Sequence, residues 1–514
     1  MRRKQAAVAA AVVVGALAVA VGVPAAVFTT GPLVQVSGTS AFIGCAADST
    51  ASQSGTVYLN SEVEPWLDVN RTNANNLVGI WQQDRWSNGG ARGLVAGVSM
   101  NGGTSWQQVV IPKITVCSGG TAANGGGYQR ATDPWVSFGP TGIVYQLSLS
   151  FNDVAPPFTS SDFDHALLAS RSLDGGLTWG DPVVVIRDTA PTVFNDKQSI
   201  TADSTNPNYV YAVWDRLVFP GSERASVVAS FRTSSYTGPA WFARSTNAGV
   251  AWEAPRPIAD PGHLDQTIAN QIVVQPNGTL VDLFAEFNNE NAKKLRGWTV
   301  RVLRSTDKGT TWSGPYLVDR LGTIGITDPE TGDDVRTGDI IPDVAVNRTN
   351  GNLYAVWQDA RFNAGAADAV AFSQSLDGGL TWSAPVKVNQ TSTAIPIGNQ
   401  QAFTASVEVA DDGTIGVTYY DFRNNTADPT TLPTDYFAVH CHPTTPTACA
   451  SAVNWIGSEN KLSGASFDMR RAPDAGGFFT GDYEGLAATA SFLTFFSQSH
   501  GNDPASTFFR RVGP

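Results

Sequence analysis

The sequence predicts an all-β chain folded as a single β-propeller of four-stranded antiparallel blades. Three observations predict it. One octet recurs along the chain, each copy sits among short β-rich runs, and no helical periodicity of any length appears beyond the N-terminal segment.

The octet reads Ser-x-Asp-x-Gly-x-Thr-Trp. Ser172–Trp179 and Ser375–Trp382 are identical copies, and Ser305–Trp312 keeps every key position. Ser99–Trp106 and Ser245–Trp252 carry Asn101 and Asn247 in the Asp place. The tryptophans lie about 60 to 75 residues apart, the spacing of stacked supersecondary units. The chemistry is that of a hairpin turn. Asp or Asn accepts backbone N–H groups, Gly supplies positive φ, and the hydroxyls add local bonds. Trp covers the turn as an apolar plug. The octet is therefore a structural fastener and no sign of catalysis.

The runs around each octet alternate in β-rich segments bounded by Asn, Gly and Thr, as in Asp343–Val346 followed by Asn352–Trp357, and Trp66–Val69 followed by Leu77–Trp81. A third strand enters the octet and a fourth leaves it, which makes four antiparallel strands per unit. First strands begin near residues 64, 132, 197, 266, 339, 402 and 484, giving seven blades, with six as the alternative. The last unit has three evident strands, so a strand over Thr56–Asn60 is expected to complete it.

Outside the repeat, bulk composition narrows the class. The chain has 514 residues and a net charge of −12, with 15% charged residues. An acidic balance excludes nucleic acid as the expected partner, because phosphate neutralisation needs Lys and Arg. Residues 1–28 join a basic head, Met1–Lys4, to a long apolar run, the form of an export signal or an uncleaved membrane anchor. Residues 29–55 then form an N-terminal extension and 56–514 the propeller. Either way the body of the chain is expected to be secreted or extracellular, and membrane contact is expected only through the N-terminal segment if it stays uncleaved. Four cysteines fit that compartment. Cys441 and Cys449 are close enough to close a small loop, leaving Cys45 with Cys117. A metal site on His440, Cys441, His442 and Cys449 is the alternative.

The octets on repeated blades, known there as Asp-boxes or BNR repeats, resemble those of the sialidase (neuraminidase) superfamily over nearly the whole chain after the signal. The resemblance implies a glycan or glycoconjugate substrate, a monomer, and a constellation at the channel mouth. In that constellation three arginines hold the sugar carboxylate, an Asp is the acid/base, and a Tyr assisted by a Glu is the nucleophile. Carried over residue by residue, Tyr483 stands where the nucleophile opens a late inner strand, with Glu484 in the place of a Ser. Glu408 and Arg423 match the Glu and the second arginine. Asp368 and Asp164 each precede a strand running into an octet. The first arginine is replaced by Ile340 in Asp339–Pro342, and Arg336 lies a few residues earlier. No third arginine is found. Each of these residues also has an ordinary alternative: a solvated strand residue for Glu408, a local partner of Asp421 for Arg423, a packing aromatic for Tyr483, turn residues for both aspartates.

A further pattern needs no family. Second strands end in acidic–basic tags: Asp84-Arg85, Asp215-Arg216, Asp359-Ala360-Arg361 and Asp421-Phe422-Arg423. They are expected to ring one mouth of the channel, either as ties between blades or as a polar pocket for a glycan. No cofactor is expected. The acidic loop Asp328–Asp334 is the one place where Ca²⁺ comes into question. Together these residues support an exported glycosidase of exo-α-sialidase type. The alternatives are a non-catalytic propeller that binds glycan or protein, and a two-carboxylate hydrolase of neutral polysaccharide.

Overall fold

A computed structural model of the protein describes residues 28–153, 163–219, 236–288 and 297–513. The expected export segment, Phe28 apart, lies outside the described residues. Among those described, no helix is long and apolar enough to cross a membrane.

The protein is all-β and built of four-stranded antiparallel sheets, an arrangement consistent with a propeller. Seven units follow one another, with innermost strands Glu62–Val69, Arg130–Phe138, Val193–Ala202, Asp265–Val274, Asp343–Val346, Ala402–Val409 and Gly485–Ala488. All seven begin within four residues of the positions read from the sequence. Side-chain bonds run from each unit to the next. Asp68 accepts from Phe138 N at 2.7 Å, Gln198 donates to Asp133 O at 2.7 Å, and Ser199 donates to Asn270 O at 2.9 Å. Gln271 bonds Asp343, which also accepts from Val407 N at 2.8 Å. Ser406 donates to Glu484 O, and Ser497 in the seventh unit returns to Glu62 O in the first, both at 2.8 Å.

The completing strand of the seventh unit is not Thr56–Asn60. Thr29–Thr30 and Val34–Gln35 pair antiparallel with the last strand, Asp503–Gly513, through Thr29↔Gly513 and Val34↔Phe509. The so-called extension over 29–55 thus starts inside the last sheet. Val57 makes only an isolated bridge to Trp86. Two disulfides, Cys45–Cys117 and Cys441–Cys449, pair the cysteines as expected, and the pairing displaces the metal alternative at Cys441.

The octets have the expected turn. Ser172 Oγ donates to Asp174 at 2.7 Å, and Asp174 accepts Thr178 N and Thr178 Oγ1 at 2.9 and 2.6 Å. Their glycines do more than permit positive φ. A Cβ on Gly103 would stand 2.1 Å from Phe509 of the seventh unit, and one on Gly309 2.4 Å from Phe242 of the third. Each octet is pressed against the unit before it, and the first octet against the last unit, so the fastener joins blades as well as strands.

Candidate active site

The inner strands share an irregularity. In five of them the register breaks near the start, between Val63 and Trp66, Thr132 and Trp135, Asp196 and Ser199, Ile268 and Gln271, and Phe403 and Ser406. At each break one residue other than glycine takes positive φ: Glu64 at 53°, Asp133 at 50°, Lys197 at 47°, Ala269 at 60°, Thr404 at 48°. Such bulges re-aim a side chain, and such backbone costs about 1–3 kcal/mol per residue, a cost that collects at functional sites. Here the bulges turn consecutive units inward. Those of the first, second and third units deliver Glu64, Asp133 and Lys197, and the entry to the seventh delivers Asp482. The fourth delivers only Ala269.

The charged residues meet at one end of the ring, on a cavity of about 710 Å³ lined among others by Arg85, Asp133, Asp196, Lys197, Arg336, Asp339 and Asp482. Lys197 Nζ bonds Asp482 at 2.7 Å and Asp133 at 3.1 Å, with Glu64 at 3.7 Å. Arg336 grips Asp482 with two bonds of 3.0 and 2.6 Å. Burial works against the charge on Asp482, but these two cations hold its carboxyl well below the usual range. Burial opposes the charge on Lys197 as well, and its carboxylate neighbours prevail and keep it protonated.

Asp133 and Asp196 share a hydrogen bond and split in character. Burial raises Asp196 to about 7, with the Asp133 charge adding to it against the pull of Lys197. Asp133 stays below its ordinary value despite burial, because Lys197 and the bond from Asp196 favour its ionised form. A neutral acid and a carboxylate side by side in a cavity are the pair that acid/base chemistry requires.

Arg85 is the other distinctive group. It is 2% exposed, its Nη1 donates to Gly90 O at 3.0 Å and to Gln82, and its Nε is unbonded. Among the described residues no carboxylate lies within ion-pair distance of it. Burial, then the nearby Arg336, lowers it to about 10. Both guanidiniums lie over the Phe479 ring, at 5.0 and 4.6 Å from its centre.

Of the residues expected from the sequence, Arg85 and Arg336 line this cavity. Tyr483, next to Asp482, lines a separate pocket that shares Asp133, Lys197 and Asp482 with this cavity. Its hydroxyl donates to Pro134 O at 3.2 Å, and its ring meets Trp66 and Trp135 edge-on. Burial, then the Glu64 charge, pushes the phenol well above its ordinary value, so it resists becoming a nucleophile. Glu484 is buried between the sixth and seventh units, accepting from Tyr420 and from Ser497 N. Glu408 lies at the opposite end of the ring, beside Arg348 at 3.5 Å, in a space of about 150 Å³ shared with Arg71 and Asp68. Arg423 is bound by Asp421 and Glu459 and stacks 3.7 Å over Phe437, away from the cavity. Asp164 is paired with Arg187 near the outer strand of the second unit. Asp368 is fully buried against Thr323 and Gln358.

The tags divide likewise. Asp84 accepts from Ser40 and Asn60 N. Asp359 accepts from Trp357 and Gly322 N, while Arg361 reaches back to Asp319 at 3.1 Å, and Arg216 reaches Asp188 at 2.6 Å. These two arginines tie a unit to the outer strand of the one before. In the acidic loop, Asp328 is taken by Arg470 at 2.5 Å and Glu330 by Asn425.

Sequence reasoning passed over Glu64, Asp133, Asp196 and Lys197. A signal was there: Glu64-Pro65-Trp66 and Asp133-Pro134-Trp135 repeat an acidic residue before Pro-Trp at the same place in two units.

No family model matches the chain, and no curated protein matches its sequence. Solved structures do. A protein of unknown function from Dyadobacter fermentans is 13% identical, covering 90% of this chain and 98% of its own, with a TM-score of 0.45. A Hadza microbial sialidase is 15% identical over 86% and 74%, also at 0.45. An α-L-arabinanase from Penicillium chrysogenum is 12% identical over 76% and 94%, at 0.42.

Proposed function

We propose that the chain is an exported, monomeric glycan hydrolase on a single seven-bladed propeller, with Asp196 as the proton donor and Asp133 as its carboxylate partner. The split of this hydrogen-bonded pair at the wall of an open cavity carries the proposal. Glycosidic cleavage needs an acid that protonates the departing oxygen; Asp196 supplies it, and Asp133, hydrogen-bonded to it, holds and tunes that proton. Lys197 holds Asp133 in place and ionised.

The substrate class follows from Arg85. A buried guanidinium with no carboxylate within ion-pair distance among the described residues is costly unless a ligand supplies the charge, and its planar fork suits a carboxylate. An acidic sugar is therefore the proposed substrate. An exo-α-sialidase is the finer form of this proposal, supported by Arg85 and Arg336 on one cavity and by Tyr483 following Asp482 of its wall. Dispersal of Glu408 and Arg423 counts against it and in favour of catalysis by carboxyl groups. The two disulfides fit an extracellular setting.

Fluorogenic aryl glycosides of N-acetylneuraminic acid, glucuronic acid and arabinose, assayed on protein lacking residues 1–28, test the activity. Release from an acidic glycoside that falls on Asp196→Asn supports the proposal. Release that survives Asp196→Asn unchanged refutes the assignment, and no release from any glycoside leaves the non-catalytic binding propeller.

A further inference from the structure

Thr323 stands between two carboxyl groups. Its Oγ1 lies 2.6 Å from Asp368 Oδ2 and 3.0 Å from Asp339 Oδ2, and it also accepts Gly325 N at 3.1 Å. A hydroxyl has one proton to give. If it gives that proton to one carboxylate, the contact with the other is a hydrogen bond only when that second carboxyl is itself protonated. Bond lengths assign the direction. The shorter contact is the one expected of a hydroxyl donating to a charged oxygen, so Asp368 is the anion and Asp339 carries the proton. Both carboxyls accept backbone N–H groups, Asp368 from Ile324 at 3.1 Å and Asp339 from its own and that of Ile340. The surroundings differ in one respect: Asp368 also accepts from Gln358 at 3.2 Å, whereas Asp339 has the Asp482 charge as a neighbour.

Asp339 is half-buried on the wall of the main cavity; Asp368 is fully buried behind it. We propose that Thr323 and Asp368 keep Asp339 neutral, and that this neutral wall is a determinant of specificity for a carboxylated sugar. The proposal rests on the acidic-glycan substrate above. Asp153, also on the lining, is neutralised by Arg130 at 2.9 Å behind it. Of the remaining groups, with Asp339 and Asp196 uncharged, Arg85, Lys197 and Arg336 outnumber Asp133 and Asp482 by one positive charge. With both ionised the sign reverses, and an anionic sugar is repelled. Burial raises Asp339, and burial raises Asp368 to about 6, so the pair shares its single proton across the acid to neutral range.

Two measurements test this. Carboxyl ¹³C titration of the unliganded protein reads the pair directly. The pair is expected to lose its last proton in one step seen at both carboxyl carbons in wild type, and Asp368 to titrate lower in Asp339→Asn, which removes the carboxyl that shares that proton. An unchanged Asp368 midpoint overturns the shared proton. Calorimetry with N-acetylneuraminic acid and methyl β-D-glucuronide reads the consequence. Wild-type affinity is expected to fall about tenfold from pH 5 to pH 8, less steeply in Asp339→Asn, and from a lower pH in Asp368→Asn, where Asp339 is free to ionise. Identical profiles in wild type and Asp339→Asn overturn the role in specificity. If neither sugar binds any variant while the titration behaves as expected, the acidic-glycan substrate is what fails, and the role in specificity fails with it.

Discussion

The two ends of a blade obey different rules. At one end the octets repeat almost letter for letter, and they use the same bonds: Ser375 to Asp377 at 2.8 Å and Thr381 to Asp377 at 2.6 Å match Ser172 and Thr178 to Asp174. At the other end the inner-strand bulges repeat in backbone only. One backbone conformation presents an acid in two units, an ammonium in the next, a methyl in the fourth and a hydroxyl in the sixth. Repetition builds the ring, and departure from repetition at a fixed place builds the site.

That contrast breaks most sharply on activity. Asp196→Asn is expected to lower kcat/KM by about 10²–10⁴-fold without a loss of melting temperature at neutral pH, whereas Ser375→Ala should leave kinetics intact. Next comes Lys197→Met, which strands Asp133 and Asp482 without their shared cation and should cost about 3–5 kcal/mol in a urea titration. A loss under 1 kcal/mol would mean that the ammonium is dispensable and the cluster is not a tied unit. The pH dependence of stability is the third. The carboxyl of Asp196 is raised to about 7, so its contribution is complete below the ordinary carboxylate range and is lost as pH rises through 7. Asp343, raised by burial to about 7, acts in the same sense. Stability measured from pH 5 to pH 8 should therefore decline, less steeply in Asp196→Asn and in Asp343→Asn; parallel curves would contradict the raised values. The smallest effect belongs to the fasteners. Ser375→Ala removes one buried hydroxyl and two bonds and should cost about 1 kcal/mol.

The same contrast explains what the sequence disclosed. Blade starts, octets and disulfide pairs were legible because each has a short local signature: alternation, a fixed turn formula, close spacing of Cys441 and Cys449. The closing strand was not. Thr29–Thr30 and Val34–Gln35 are too short to alternate, and they become strands only because Asp503–Gly513 offers them an edge. The site was half legible. Arg85 and Arg336 stood out as arginines near strand ends, but nothing local distinguishes Arg85, which faces the cavity, from Arg361, which ties two blades. Lys197 and Asp133 matter because of left-handed backbone that neighbouring strands enforce, and Asp-Lys-Gln in a strand carries no sign of it. Glu408 and Arg423 matched a template by order along the chain, yet order does not fix which end of the ring a residue reaches.

The pairing of Thr29–Gln35 with Asp503–Gly513 makes the chain its own clasp. Thr29–Gln35 must wait for a strand more than 460 residues later in the chain before the hoop can shut. Until then the first octet lacks the Phe509 against which Gly103 is packed, and the first and seventh units present raw edges to each other. Closure thus waits on the pairing of these two segments, and a partner or tag that occupies residues 29–35 would act as a wedge in the latch, distant from the cavity yet able to spring the whole hoop open.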